Sequence, residues 1–250
     1  MALAGHRVLL IDLDTYAPSM ADFLGSTERS PGLSAAARLV GQGRFDLDQI
    51  DRLAIQFSAG AGKLAVLPGL RSSARWPEIT RERIEGLLDE AMRHFDFVVM
   101  DVASPLEVAI RQVGGAVDRN VAARSALEIS TKTIALLAAD PVGAKRFLDA
   151  FDHVLSLSKN VQIVVNRLRS SALGAKPRQQ IDDLVKTAFQ REIAATIPSD
   201  SEACDKALFE MVPLAMMKRS SPARQAIAQF TRLNFLADKE HMRLRVAKLD

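Results

Sequence analysis

Gly5-His6-Arg7-Val8-Leu9-Leu10-Ile11-Asp12-Leu13-Asp14 is an aliphatic run of strand length that ends in two acids one residue apart. A continuous apolar run, rather than an alternating one, is what a strand covered on both faces requires. Period-two geometry places Asp12 and Asp14 on the same side of an extended segment. Two carboxylates there could hold Mg2+ and orient a water molecule.

Similar runs recur at Leu64–Leu67, Phe97–Met100, Thr133–Leu137 and Val161–Val165, with a weaker one at Ile193–Ile197. Helix-like stretches accompany them at Pro77–His94, Arg119–Ile129, Val142–Leu157, Pro177–Arg191 and Ser221–Leu236. Strand and helix in turn predict an α/β fold, a mostly parallel, doubly wound sheet with helices on both faces. Pro77 suits a first helical turn, Pro141 breaks the chain after a strand, and Ser221-Pro222 reads as a helix start. Ser58–Gly62 and Ser170–Gly174 read as loops, because periodic segments resume directly after them.

The chain has 250 residues, of which 48% are apolar, enough for one substantial core. The expected division is a single domain over residues 1–236 followed by a charged tail over 237–250. In Phe235–Leu249 the apolar positions alternate as much as they follow helical spacing, which favours a solvated tail over a membrane anchor. Cys204 is the only cysteine, so an intramolecular disulfide is excluded and no zinc-ligand spacing exists. The longest apolar runs, Ile134–Ala139 and Val161–Val165, are too short to span a bilayer, and the N-terminus has no signal-peptide pattern. A soluble, cytoplasmic protein is expected. The net charge is only +3, and no Lys/Arg-rich block marks a nucleic-acid footprint.

In open α/β sheets ligands collect beyond the carboxyl ends of the strands, and three more strand ends carry polar groups. Phe97-Val98-Val99-Met100-Asp101 has the Walker B form, an apolar strand presenting one carboxylate to a hydrated magnesium ion. Taken alone it reads better as a turn or capping Asp; its company with Asp12 and Asp14 reverses that preference and favours the metal. Val164-Val165-Asn166-Arg167-Leu168-Arg169 ends in an amide whose donor and acceptor can read an adenine edge. Thr196-Ile197-Pro198-Ser199-Asp200 is a strand-end proline loop. Both also fit ordinary turn chemistry.

In this order, together with Leu67-Pro68-Gly69-Leu70, Arg75-Trp76-Pro77-Glu78, Ala139-Asp140-Pro141-Val142-Gly143 and Ser221-Pro222-Ala223-Arg224, these segments resemble the ParA/MinD-like deviant P-loop ATPases. The resemblance spans nearly the whole chain and is closest to the CpaE/TadZ-like branch of pilus-assembly and septum-site proteins. It implies ATP and Mg2+ as cofactors and an ATPase activity. Asp14 would be the catalytic residue that positions water, Asp12 and Asp101 the metal-site acids, and Asn166, Arg167 and Pro198 the border of the base. It also implies a nucleotide-bound homodimer that recruits proteins of a polar, septal or secretion apparatus, with recruitment to a pole, a septum or the inner membrane face.

The same resemblance exposes a gap. The family opens with a strand, a Gly-rich phosphate loop bearing basic residues, and a helix that leads into a segment like Gly5–Asp14; here Met1–Gly5 matches only the helix tail. Ser58-Ala59-Gly60-Ala61-Gly62-Lys63 imitates a phosphate loop, but Phe57 and Leu64 stand where a Gly and a hydroxyl residue belong, and it precedes a strand instead of following one. Impaired ATP binding is therefore expected. Loss of a strand beside Phe97–Met100 should also leave apolar edges. Two accounts are open, a sequence shortened at its start and a family member that has abandoned hydrolysis. Function divides accordingly between a spatial-switch ATPase and a non-enzymatic localisation scaffold. A biosynthetic synthetase on the same fold lacks any further acid, His or Cys constellation, and direct DNA or membrane binding finds no support in the sequence.

Overall fold

The computed structural model of the chain describes residues 1–26, 32–108, 118–217 and 220–237. Contacts divide the chain into two units, Met1–Thr131 with Ser156–Ser158, and Lys132–Leu155 with Lys159–Asp250.

The first unit is built on β1 (Arg7–Asp12), β2 (Ile55–Ala59), β3 (Gly62–Leu67) and β4 (Phe97–Asp101), in the order β2-β3-β1-β4. β3, β1 and β4 run parallel, while β2 pairs antiparallel with β3. Its helices are α1 (Met20–Phe23), α2 (Gly32–Gly41), α3 (Leu47–Leu53), α4 (Arg81–His94) and α5 (Val121–Ile129). One sheet face carries Leu9, Ile11, Ala65 and Leu67, packed with Leu33, Ile50, Ile84, Leu87, Leu88 and Ala126 from the helices. α4 shows why the helices lie where they do. Ile84, Leu87, Leu88 and Ala91 recur at helical spacing and are buried, and the Thr80 hydroxyl accepts the Arg83 N–H at the helix start.

Several expectations need revision here. Pro77 does not open α4; it sits inside a 3-10 turn, Ser73–Glu78, and Thr80 supplies the cap. The Ser58–Gly62 segment is part of a hairpin in which Ser58 pairs with Lys63 and Ala59 with Gly62. A hairpin is not the strand-loop-helix a phosphate cradle needs, so the imitation stays an imitation. β2 itself, with its half-exposed Ile-Gln-Phe-Ser-Ala pattern, owes its existence to pairing with β3 and gives little signal alone.

The second unit contains β5 (Thr133–Ala138), β6 (Val161–Leu168) and β7 (Ile193–Pro198), parallel and in that order. Its helices are α6 (Pro141–Leu157), α7 (Ser170–Leu173), α8 (Pro177–Phe189), α9 (Ser201–Phe209) and α10 (Pro222–Thr231), the last followed by a π-helical turn, Arg232–Leu236. Ala135, Leu137, Ile163 and Val165 pack on one face against Phe147, Phe151, Ile181 and Val185. Val164 and Ile197 pack on the other against Ala223 and Phe230. Helices thus lie on both faces of this sheet, as the apolar runs predict, although one face of β5 keeps Ile134 and Leu136 exposed. Ser170–Gly174, expected as a loop, forms the one-turn helix α7, which Gly174 closes at φ 77°. Pro141 begins α6 and Pro222 follows the Ser221 cap of α10.

Among the described residues, β4 and β5 each have a single strand neighbour and end their sheets. Neither carries the lysine, proline or bulge that usually protects an outer strand, and Val99, Ile134 and Leu136 are exposed, Leu136 by 60%. The apolar edge expected beside Phe97–Met100 is present. The expected tail, apart from Ala237, lies outside the described residues. No helix among the described residues is long and apolar enough to cross a membrane.

Candidate functional site

The predicted site residues fall into two groups, one in each unit. In the first unit, Asp12 and Asp101 are register partners on the neighbouring parallel strands β1 and β4. Partners in parallel register point to the same side of a sheet, and both acids stand at carboxyl ends. Asp12 is 1% exposed. Its Oδ1 accepts the Asp14 N–H at 3.2 Å, and its Oδ2 accepts those of Ser19 at 2.9 Å and Met20 at 3.1 Å. Burial nevertheless holds its pKa above the ordinary carboxylate range, against those three hydrogen bonds and with a smaller push from Asp14. Asp101 is raised as well, first by burial and then by the charges of Asp12 and Asp14.

The strand stops at Asp12, so Asp14 stands in a turn and period-two geometry does not aim it. Its Oδ1 accepts the N–H groups of Tyr16 at 2.7 Å and Ala17 at 3.0 Å. Oδ2 takes no part in these two bonds. The sequence quoted Gly69 only as part of a motif, yet the fold makes it a support of the site. A Cβ at Gly69 would lie 2.4 Å from Pro18 Cβ and 2.9 Å from Asp12 Cγ, and one at Gly32 would lie 2.3 Å from the Pro68 carbonyl oxygen. A Pro-Gly pair directly after an apolar run was the available signal: only a residue without Cβ lets this backbone press against the Asp12 carboxyl.

These groups suit a hard divalent cation in part. Magnesium takes one or two carboxylates and completes its shell with water and phosphate oxygens, and two crowded carboxylates whose charged forms are disfavoured gain from a cation between them. Among the described residues no cluster of three or more metal-ligating side chains closes on a point, so the two acids would supply only part of a shell. Among the described residues there is also no glycine-rich loop joining a strand to a helix that would cradle phosphates.

In the second unit, Asn166, Arg167 and Pro198 lie at the carboxyl ends of adjacent strands β6 and β7. Leu168 pairs with Pro198, and the Ser199 N–H donates to the Leu168 carbonyl at 2.9 Å. Asn166 Oδ1 accepts the N–H of Arg167, which turns through φ 57°. The acceptor expected to read a base edge is thus engaged in the turn, and the amide NH2 is the group left to donate. Arg169 brings its guanidinium to the Arg167 carbonyl and within 4.0 Å of Asp140. Asp140 in turn caps α6 through the Gly143 N–H. At Gly143 a Cβ would meet the Ala138 carbonyl oxygen at 2.5 Å, which explains the glycine in that motif.

The structure is similar to the ParA family ATPase from Chlorobium tepidum TLS, with a TM-score of 0.72 at 17% identity over 92% of this chain and 88% of that one. It is similar to the septum site-determining protein MinD complexed with Mg-ADP from Pyrococcus horikoshii OT3, with a TM-score of 0.70 at 17% identity over 94% and 87%. The MinC:MinD cell division protein complex of Aquifex aeolicus gives 0.67 at 19% identity over 92% and 84%. At such identities the likeness is one of fold. No curated protein matches the sequence. The family model of the CobQ/CobB/MinD/ParA nucleotide binding domain, however, matches residues 1–214, and with strand-end acids paired as described the chain belongs to that family.

Proposed function

We propose that the chain is a nucleotide-dependent spatial switch of the ParA/MinD kind, nearest the CpaE/TadZ-like branch, that positions pilus, secretion, septal or partitioning machinery. The pairing of Asp12 with Asp101 at the ends of β1 and β4 carries this reading. Asp12 and Asp101 would hold Mg2+, and Asp14, one oxygen fixed by the Tyr16 and Ala17 N–H groups, would orient the attacking water. Asn166, Arg167 and Pro198 border the base. The bound ion would neutralise phosphate charge. The nucleotide-loaded form is a homodimer that recruits proteins of a polar, septal or secretion apparatus, and hydrolysis releases them.

One observation favours a second reading. With no phosphate cradle among the described residues, this chain alone binds ATP weakly and acts as a localisation scaffold that keeps the fold and the partner surface. Calorimetry of Mg-ATP with the 250-residue chain and with a protein extended upstream through any in-frame coding sequence separates the two. Binding by the extended protein alone supports the switch; binding by neither favours the scaffold. Tight binding by the 250-residue chain itself would refute the claim that a cradle is lacking.

A further inference from the structure

The turn that carries Asp14 is clamped from the far end of the first unit. The Arg119 guanidinium lies 3.9 Å over the centroid of the Tyr16 ring, and its Nη2 donates to the Thr15 carbonyl at 2.7 Å. Thr15, itself buried, returns a hydrogen bond from Oγ1 to the Arg119 carbonyl at 3.2 Å. The Tyr16 hydroxyl donates to Asn120 Oδ1 at 2.8 Å. The same Tyr16 contributes the N–H that fixes Asp14 Oδ1, so the clamp and the carboxylate share a residue.

The clamp also holds the segment that follows Asp101. Asn120 Nδ2 donates to the Glu107 carbonyl at 2.8 Å, and Arg124 Nη1 donates to the Leu106 carbonyl at 3.0 Å. Arg119 and Asn120 therefore stand between the chain leaving β1 and the chain leaving β4, the two strands that present the acids. Among the described residues, Arg119 Nε is buried without a hydrogen-bond partner.

We propose that Arg119 is a positioning residue for the carboxylate site: stacked on Tyr16, it fixes the turn that aims Asp14 and ties it, through Asn120, to the segment behind Asp101. The inference rests on the reading of Asp12 and Asp101 as a cation site. Its sign separates it from simple electrostatics. Removal of a positive charge near two carboxylates would strengthen cation binding by Coulomb's law alone, whereas loss of positioning weakens it.

Tyr16 is the only tyrosine of the chain, so 3-fluorotyrosine labelling gives a single 19F resonance at the clamp. The experiment compares the whole chain with Arg119→Gln and Arg119→Lys, which loses the planar fork but keeps the charge. The 19F spectrum is recorded without metal, and Mn2+ affinity is measured by electron paramagnetic resonance, with Asp101→Asn as the reference for a lost ligand. The expected result is that the resonance in both variants moves toward the free-peptide position and that Mn2+ affinity falls about tenfold, the scale of lost outer-shell support. An unmoved resonance shows that the clamp does not exist. A moved resonance with unchanged or stronger Mn2+ binding overturns the positioning role. Absence of Mn2+ binding by the wild type removes the cation site itself and the role with it. If Arg119→Gln fails to fold, Arg119→Lys decides by the same criteria.

Discussion

The Asp101 carboxyl is the residue on which most of the functional reading turns, and its electrostatics can be tested without nucleotide. Its pKa in the folded chain is raised by burial and by Asp12 and Asp14. The folded state therefore holds that proton more tightly than the unfolded state does. Stability from this group is fully present below the ordinary carboxylate pKa and is lost as pH rises through the raised value. Asp12 shifts in the same direction. Asp101→Asn, neutral at every pH, is expected to raise the melting temperature near pH 7 and to flatten its decline as pH rises above the ordinary carboxylate range. Mg2+ should raise the melting temperature of the wild type at neutral pH but not that of the variant, because a ligand stabilises only the state that binds it. Equal Mg2+ responses in the two proteins would contradict the assignment of Asp101 to the metal. Asp12 and Asp101 were each legible in the sequence as acids closing an apolar run, because a strand end is a local property. Gly69 was not, since its role comes from the approach of a distant backbone to Asp12.

At the scale of elements, Asp200 joins two helices. Its Oδ1 accepts the Ala203 N–H at the start of α9, while its Oδ2 accepts the Ser221 hydroxyl and the Ala223 N–H at the start of α10. The Ser221 hydroxyl, then the two N–H groups, hold its pKa below the usual carboxylate range. A depressed carboxylate contributes stability above its unfolded pKa and loses it as pH falls through the folded value. Asp200→Ala should therefore lower the melting temperature at neutral pH, with the gap to wild type closing in acid; a gap independent of pH would mean that shape, not charge, holds the two helix starts. Strands β1 and β3 to β7 were readable as apolar runs. β2, α2 and α3 were not: α2 is Ala-rich and begins at Gly32, with φ 49° and an N–H from Leu33 to the Pro68 carbonyl, so docking defines its start. α5 was expected from Arg119 but begins at Val121, because Arg119 and Asn120 are recruited by Thr15 and Tyr16.

Over the whole molecule, the apolar outer strands are the feature that most constrains behaviour in solution. β5, an outer strand with exposed apolar side chains and no charge, invites pairing with another chain. Leu136→Lys on β5 is expected to leave the melting temperature nearly unchanged, since Leu136 is mostly exposed, and to reduce self-association in analytical ultracentrifugation. Unaltered association would show that this edge is not the sticky surface.

By itself the sequence determined the α/β class, the parallel strands and their acid-bearing ends, because continuous apolar runs, helical spacing and strand termini are written in neighbouring residues. Only the tertiary structure decided that Asp12 faces Asp101 in register, that Gly69 presses on the Asp12 carboxyl, and that Arg119 clamps the Asp14 turn. Each of those depends on register, close approach or stacking between segments far apart in the chain, and no local pattern encodes a distance across a fold.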